Sequence, residues 1–406
     1  MKNKLYFKTT LDERTTRAYE TIKEEQTTIG YYSLPEQNIQ PILDYCNTIS
    51  KEIQSIAVIG IGGSSLGAKA VYGFLRSVEK PLRKLYFFES TDPINIKNLL
   101  DTIDIEKTHF LVISKSGTTV ETFAIYKYIF SKQDNPNAYT FITDPNSDLE
   151  KYAKTIDADI LHLPDNVGGR FSVLSVVGLV PLALCGIDVQ ALLDGANRIK
   201  KSFFEHGYLQ DILLQKSLFY AKHHAKYHIN CLFAYSESLK YFTEWYVQLW
   251  GESLGKKQRH SAFHVGLTPI GLIGPKDQHS FLQLIMEGTR DKSVTFIQIE
   301  DFQKKIKIPS TPLPHLESLD TLNDRYFSDL ITMQCNSVIE ALLEEGDIPL
   351  DRITIPQISA ENIGALIFYY ELLTSLVGEL IDVNTYNQPG VEAAKVILKK
   401  KLDAQQ

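Results

Sequence analysis

Four hydroxyls, a lysine and a glycine stand together at Ser114-Lys115-Ser116-Gly117-Thr118-Thr119. An apolar run at 110–113 precedes them, and 120–126 reads as a helix. A turn between a buried strand and a helix start offers unpaired backbone N–H groups and the positive end of the helix dipole. The hydroxyls add donors, and Gly117 lets the backbone approach a ligand closely. The pattern predicts a phosphate cradle. It lacks the G-x-x-x-x-G-K-[ST] spacing of a nucleotide P-loop, so a small phosphorylated metabolite fits it better than a triphosphate. A polar, capped turn with no ligand would have the same composition.

Other residues with chemical potential are scattered along the chain. The loop Gly60-Ile61-Gly62-Gly63-Ser64-Ser65-Leu66-Gly67 also follows an apolar run. Its glycines allow close approach and Ser64 adds a hydroxyl. It departs from the dinucleotide fingerprint, which needs glycine where Ser65 stands, although Glu89 ends the next apolar run at a distance suited to a ribose. A plain turn, a phosphate site and a nicotinamide site all stay open on this loop alone. Arg170, after Gly168-Gly169, is either a cation for a developing oxyanion or a surface arginine. Glu252 ends an aromatic helix beside Trp250, where partial desolvation would make a base; a solvated helix-end glutamate is the plain alternative. His279 offers an imidazole for proton exchange near neutral pH, or a helix cap. Lys395 follows Pro389 by six residues, on a last helix where it would otherwise be one more solvated lysine. His224 and His228 have the i, i+4 spacing of metal ligands, but Lys222 and Lys226 flank them, and they read as a solvated helix face.

Such residues need a scaffold to bring them together. Strand-like runs at 56–59, 85–88, 110–113, 139–142 and 159–163 alternate with helical segments. After a helical linker the rhythm resumes, with strands at 229–234, 294–299 and 352–355 and helices at 237–254, 319–343 and 361–381. This alternation predicts an α/β fold of doubly wound parallel sheets. The loops at 60–67, 114–119 and 167–172 all fall at carboxyl ends of strands, where open parallel sheets bind ligands. The expected division is a mainly helical lead-in over 1–50, α/β domains over 51–190 and 205–385, and a C-terminal helix over 386–406 carrying Lys395.

Composition narrows the partners. A chain of 406 residues has core enough for two or three domains. A net charge of −7 with no long basic block argues against nucleic acid or a membrane as partner, and requires any phosphate site to be locally positive. The four cysteines are far apart, which fits reduced thiols better than a zinc site or a disulfide framework. No apolar segment follows the first residues, and the longest apolar stretch, 173–185, is broken by Ser175, Gly178 and Pro181 and is too short to span a bilayer. A cytoplasmic protein is expected.

Six segments, taken in order, carry a resemblance: GIGGSSLG at 60–67, SKSGTTVET at 114–122, VGGRFS at 167–172, Gln248 with GES at 251–253 and GK at 255–256, DQHSFLQLI at 277–285, and YNQPGVEAAK at 386–395. Together they resemble the glucose-6-phosphate isomerase (phosphoglucose isomerase) family over about residues 55–400. Ser116-Gly117 and the short chain resemble its bacterial branch. The resemblance implies two sugar-isomerase (SIS) domains, each a three-layer α/β/α unit, a C-terminal helical tail, and a homodimer. It implies an aldose–ketose isomerase working on a sugar phosphate with no metal, nicotinamide or other cofactor. Gly63, Ser64, Ser114, Lys115, Ser116, Gly117, Thr118 and Thr119 would bind the phosphate, and Gln248 the sugar hydroxyls. Glu252 would be the base and Arg170 would stabilise the enediolate. His279 and Lys395 would open the ring, with His279 supplied by the partner subunit. A related isomerase acting on mannose 6-phosphate, or a non-catalytic phosphosugar-binding protein, are the alternatives.

Overall fold

The computed structural model describes residues 1–404. Two five-stranded sheets organise the chain. The first is wholly parallel, in the order Lys84–Phe88, Ser55–Ile59, Thr108–Ile113, Tyr139–Thr143, Asp159–His162. The second runs Lys2–Leu5, Leu350–Gln357, Lys292–Asp301, Ile229–Ala234, Thr268–Ile273, with four parallel strands and the first strand antiparallel at its edge.

Side chains alternate across each sheet, as a period of two requires. Ile56, Val58, Leu111 and Ile113 face inward, while Ala57, Ile59, Phe110 and Val112 face an outer helical layer. In the second sheet Leu232, Ala234, Ile297 and Ile299 face inward, and Cys231, Phe233, Val294 and Phe296 outward. The two inward faces share one core. Each sheet is thus covered on both faces, the doubly wound α/β arrangement.

The helix Ala360–Leu380 lies in that shared core. It is long and apolar enough to cross a membrane, yet it is buried within the fold. It crosses the helix Val189–Phe204 at backbone distance. A Cβ on Gly364 would lie 1.9 Å from the Leu192 carbonyl oxygen, and one on Gly195 1.8 Å from that of Glu361.

Five features differ from the sequence expectation. The strand Thr268–Ile273 carries Pro269 and Gly271, residues that argue against a strand interior; it is tolerated at a sheet edge. The strand Lys2–Leu5 is polar, as suits an exposed edge. The helix expected over 319–343 is two elements, a 3-10 turn Glu317–Leu322 and a helix Phe327–Glu345, separated at Asp324, whose φ is +62°. The helix Tyr208–His223 stops before His224, so His224 and His228 do not share a helix face. Trp250 does not shield Glu252: its indole is buried and donates to Asn230 Oδ1 at 2.9 Å, on another face of the helix Lys240–Leu254.

The N-terminal strand is pinned by a buried ion pair. Lys216 Nζ donates to Asp351 Oδ2 at 2.7 Å and to Thr295 Oγ1 at 3.1 Å, while Asn3 Nδ2 donates to the same carboxylate at 2.7 Å. Both charged side chains are essentially inaccessible. Removing one partner strands the other charge in the core. Lys216→Met is therefore expected to lower folding stability by about 3–5 kcal/mol, read from urea unfolding, and Lys216→Met with Asp351→Leu to recover most of it.

Candidate active site

Arg170 is the centre of the site. It sits in the 3-10 turn Gly169–Phe171, after the last strand of the first sheet, and is buried. A guanidinium has five N–H donors and needs acceptors when buried. Here Nε donates to Ser253 Oγ at 2.7 Å and Nη1 to Gln388 Oε1 at 2.8 Å. Nη2 donates to the carbonyl oxygens of Asn387, at 3.1 Å, and of Thr385. Nη1 also faces Glu252 Oε2 at 3.5 Å. Burial lowers the pKa of Arg170, and the Glu252 carboxylate opposes that shift.

Glu252 lies in the last turn of the helix Lys240–Leu254, and its side chain is about one-third exposed (32%). The negative end of the helix dipole disfavours a carboxylate there, and Arg170 offsets it. Gln248, one turn earlier on the same face, donates from Nε2 to Glu252 Oε1 at 3.2 Å.

The glycine loop joins these parts. A Cβ on Gly63 would lie 2.3 Å from the carbonyl carbon of Gly169, so the loop and the Arg170 turn meet backbone to backbone. Gly62, at φ +62°, lets the chain pass Gln248, whose Nε2 would lie 2.9 Å from an added Cβ. Ser64 is half-buried beside them. Glu89 is engaged with Lys69, which donates to it at 2.6 Å.

The hydroxyl loop follows the strand Thr108–Ile113 and leads into the helix Val120–Phe130. Gly117 takes φ +67° and packs against Ser147 and Leu149. Ser114 is buried, with its hydroxyl 3.0 Å from Thr119 Oγ1; Ser116 and Thr118 are exposed and pair at 3.1 Å. Thr119 caps the helix without a side-chain bond to it, so first-turn N–H groups are open. The Lys115 ammonium donates to the carbonyls of Asp165 (2.8 Å) and Val167 (2.6 Å). It ties the hydroxyl loop to the loop that carries Arg170.

A cleft of about 840 Å³ opens over Glu252, Gln388, Lys256, Arg259 and His264. Lys256 Nζ donates to Asn387 Oδ1 at 3.0 Å. Burial first, then repulsion from Arg170, pushes its pKa down to about 8, against the attraction of Glu252.

Arg170, Gln248 and Glu252 are thus brought together, and His279 and Lys395 are not. His279 is exposed on the turn Lys276–His279, beyond the edge strand of the second sheet, outside the cleft lining. Lys395 is exposed on the terminal helix Glu392–Asp403 and pairs with Glu392 at 2.8 Å. Gln388, Ser253 and Lys256 lie within the quoted motifs, but the sequence assigned them no role. The signal for Gln388 was present: it precedes Pro389, which restricts its backbone. Among the described residues no group of His, Cys, Asp and Glu is arranged to hold a metal ion.

Doubly wound parallel sheets, with a buried guanidinium beyond a strand of the first sheet facing a carboxylate on a helix end, define an α/β protein with a polar site beyond its strand ends. A model of the phosphoglucose isomerase family matches residues 43–406. A glucose-6-phosphate isomerase from Campylobacter jejuni is 39% identical over all of both chains. A hypothetical protein from Thermus thermophilus superposes with a TM-score of 0.87 at 31% identity, covering 96% of this chain and 94% of its own. The crystal structure of a glucose-6-phosphate isomerase from Chlamydia trachomatis shares the fold, with a TM-score of 0.80 at 23% identity over 97% of this chain and 87% of the other. The chain belongs to the phosphoglucose isomerase family.

The backbone contact at Gly63 is tight enough to test. Gly63→Ala forces the two loops apart and is expected to cost about 1–3 kcal/mol, seen as a lower thermal midpoint. Gly390→Ala, with open space around its Cβ, leaves that midpoint unchanged.

Proposed function

We propose that this chain reversibly converts glucose 6-phosphate to fructose 6-phosphate. The observation that carries the reading is the facing of Glu252 and the buried guanidinium of Arg170. An aldose–ketose isomerisation needs one base to take a proton from C2 and return it to C1, with a fixed cation to stabilise the enediolate between. Glu252 is the base and Arg170 the cation. Gln248, on the same helix face, contacts sugar hydroxyls. The open N–H groups and hydroxyls of Ser114, Ser116, Gly117, Thr118 and Thr119, with Gly63 and Ser64, hold the phosphate. Lys115 acts there through the loop it braces. Binding energy at the phosphate, remote from the reacting carbons, positions them.

The cyclic sugar must open first, by moving a proton from the anomeric hydroxyl to the ring oxygen. His279 and Lys395 are the proposed pair. The exposure of His279 on a turn beyond the edge strand supports a homodimer in which His279 is supplied by the partner subunit. The terminal helix, with Val396, Ile397 and Leu402 exposed, supports the same arrangement. We take 51–190 and 205–385 as the two SIS domains, 1–50 as the lead-in and 386–406 as the tail. No metal or nicotinamide enters this chemistry, and no nucleic acid or membrane partner. The reading places the enzyme in glycolysis and gluconeogenesis in the cytoplasm.

In a coupled assay on EDTA-treated protein, Glu252→Gln is expected to lower kcat by about 10²- to 10⁴-fold while glucose 6-phosphate still binds. Near-wild-type turnover would remove Glu252 as base. Ser114→Ala with Thr119→Ala should raise KM with little change in kcat. Equal turnover of mannose 6-phosphate would broaden the substrate assignment.

Lys256 predicts a pH dependence. Above pH about 8 it loses its proton and the cleft loses a cation, so KM for the sugar phosphate rises. A lysine in the unfolded chain titrates near ~10.4. Between the two values the folded chain binds fewer protons, and this group's contribution to stability rises with pH. The rise in KM therefore does not come from a loss of this group's contribution to stability, and Lys256→Gln should abolish it.

A further inference from the structure

Three acceptors of Arg170 come from one short strap: the carbonyls of Thr385 and Asn387 and the side chain of Gln388. The strap has no helix or strand of its own, and Asn387 and Gln388 are exposed. A guanidinium is only as well placed as the acceptors that hold it. Something must fix the strap.

Tyr386 does so from within it. Its ring packs on Phe171, the neighbour of Arg170, with centroids 5.6 Å apart. Its hydroxyl donates to Glu25 Oε2 and lies 3.0 Å from Ser375 Oγ. Tyr32 donates to the same Glu25 oxygen at 3.3 Å, and Tyr31 Oη lies 2.8 Å from Ser375 Oγ. Tyr386 and Tyr32 both direct their hydroxyls at the carboxylate, and Tyr31 and Tyr386 both meet the Ser375 hydroxyl. The network ends on Glu25, the last residue of the helix Glu13–Glu25, ahead of the residues that match the family model.

We propose that Glu25 is a positioning residue for the isomerase reaction: through Tyr386 it holds the strap that holds Arg170. This rests on the function proposed above. Glu25 touches no reacting atom. Its effect is on where the enediolate-stabilising cation sits, so it belongs to kcat rather than to substrate binding.

Tyr386→Phe removes one hydroxyl and leaves the ring on Phe171; Glu25→Ala removes the acceptor. Each is expected to lower kcat about tenfold, with KM changed by less than about threefold. The double variant should be no slower than the slower single one. Glu25→Gln keeps an acceptor oxygen and should restore most of the rate. In an Arg170→Ala background, Tyr386→Phe should change kcat less than about twofold, because the group being positioned is gone. General damage to the fold would slow that background as well. Wild-type kcat in both Tyr386→Phe and Glu25→Ala, multiplying losses in the double variant, or an equal loss in the Arg170→Ala background would each overturn the inference. A wild-type chain that fails to isomerise glucose 6-phosphate removes the functional reading too; an active wild type with a fully active Tyr386→Phe removes this inference alone.

Discussion

A charged guanidinium that is almost fully removed from water governs the site. Taking Arg170 out of solvent costs several kcal/mol unless its donors are met. The acceptors come from two remote segments, the end of the helix Lys240–Leu254 and the strap 385–388. The turn that carries Arg170 is in turn pressed against the glycine loop. These segments are far apart in sequence, so the arginine can be buried only when the first sheet, the Glu252 helix and the C-terminal strap are all in place. Fold and site are therefore a single requirement.

The charge balance of the chain poses a second constraint. On the function proposed above, a protein with a net charge of −7 needs a local exception for its anionic substrate, and two features favour one. The hydroxyl turn presents backbone N–H groups at a helix start, which attract phosphate without a formal charge. The cleft over Glu252 gathers Lys256 and Lys257, while Arg259 in its lining is paired with Glu379 and Asp382. Lys115, the lysine within the hydroxyl turn, braces the adjoining loop through two carbonyls.

The first fifty residues are integral to the fold. Lys2–Leu5 completes the second sheet, Tyr31 stacks on Phe171 at 4.9 Å, and Glu25 bonds Tyr386. Their polar, helix-like composition carried no sign of this. Lys2-Asn3-Lys4-Leu5 has too few apolar residues to read as a strand, because an edge strand with one solvated side needs few. Glu25 reads as one more charge at a helix end. Thr268–Ile273 was hidden by its proline for the same reason: the edge of a sheet relaxes the rule that makes interior strands legible. The apparent single helix at 319–343 failed differently, since apolar periodicity continues across Asp324 while the backbone does not.

The sequence by itself determined the α/β rhythm, the strand ends that carry loops, and the six motifs that mark the family. Those signals are local, because strand and helix periods and glycine turns are properties of a few consecutive residues. It also named Arg170, Gln248 and Glu252. Only the tertiary structure decided that these three meet, that Trp250 turns away from Glu252, that Lys115 braces a loop, and that His279 and Lys395 stand outside the cleft of their own chain. It likewise decided that Gln388 and the strap carbonyls hold the arginine. Such pairings depend on which segments pack against one another, and no spacing along the chain encodes a contact between residues 25 and 386 or between 170 and 388. The hydroxyl loop itself was legible from six consecutive residues; what lies beside it was not.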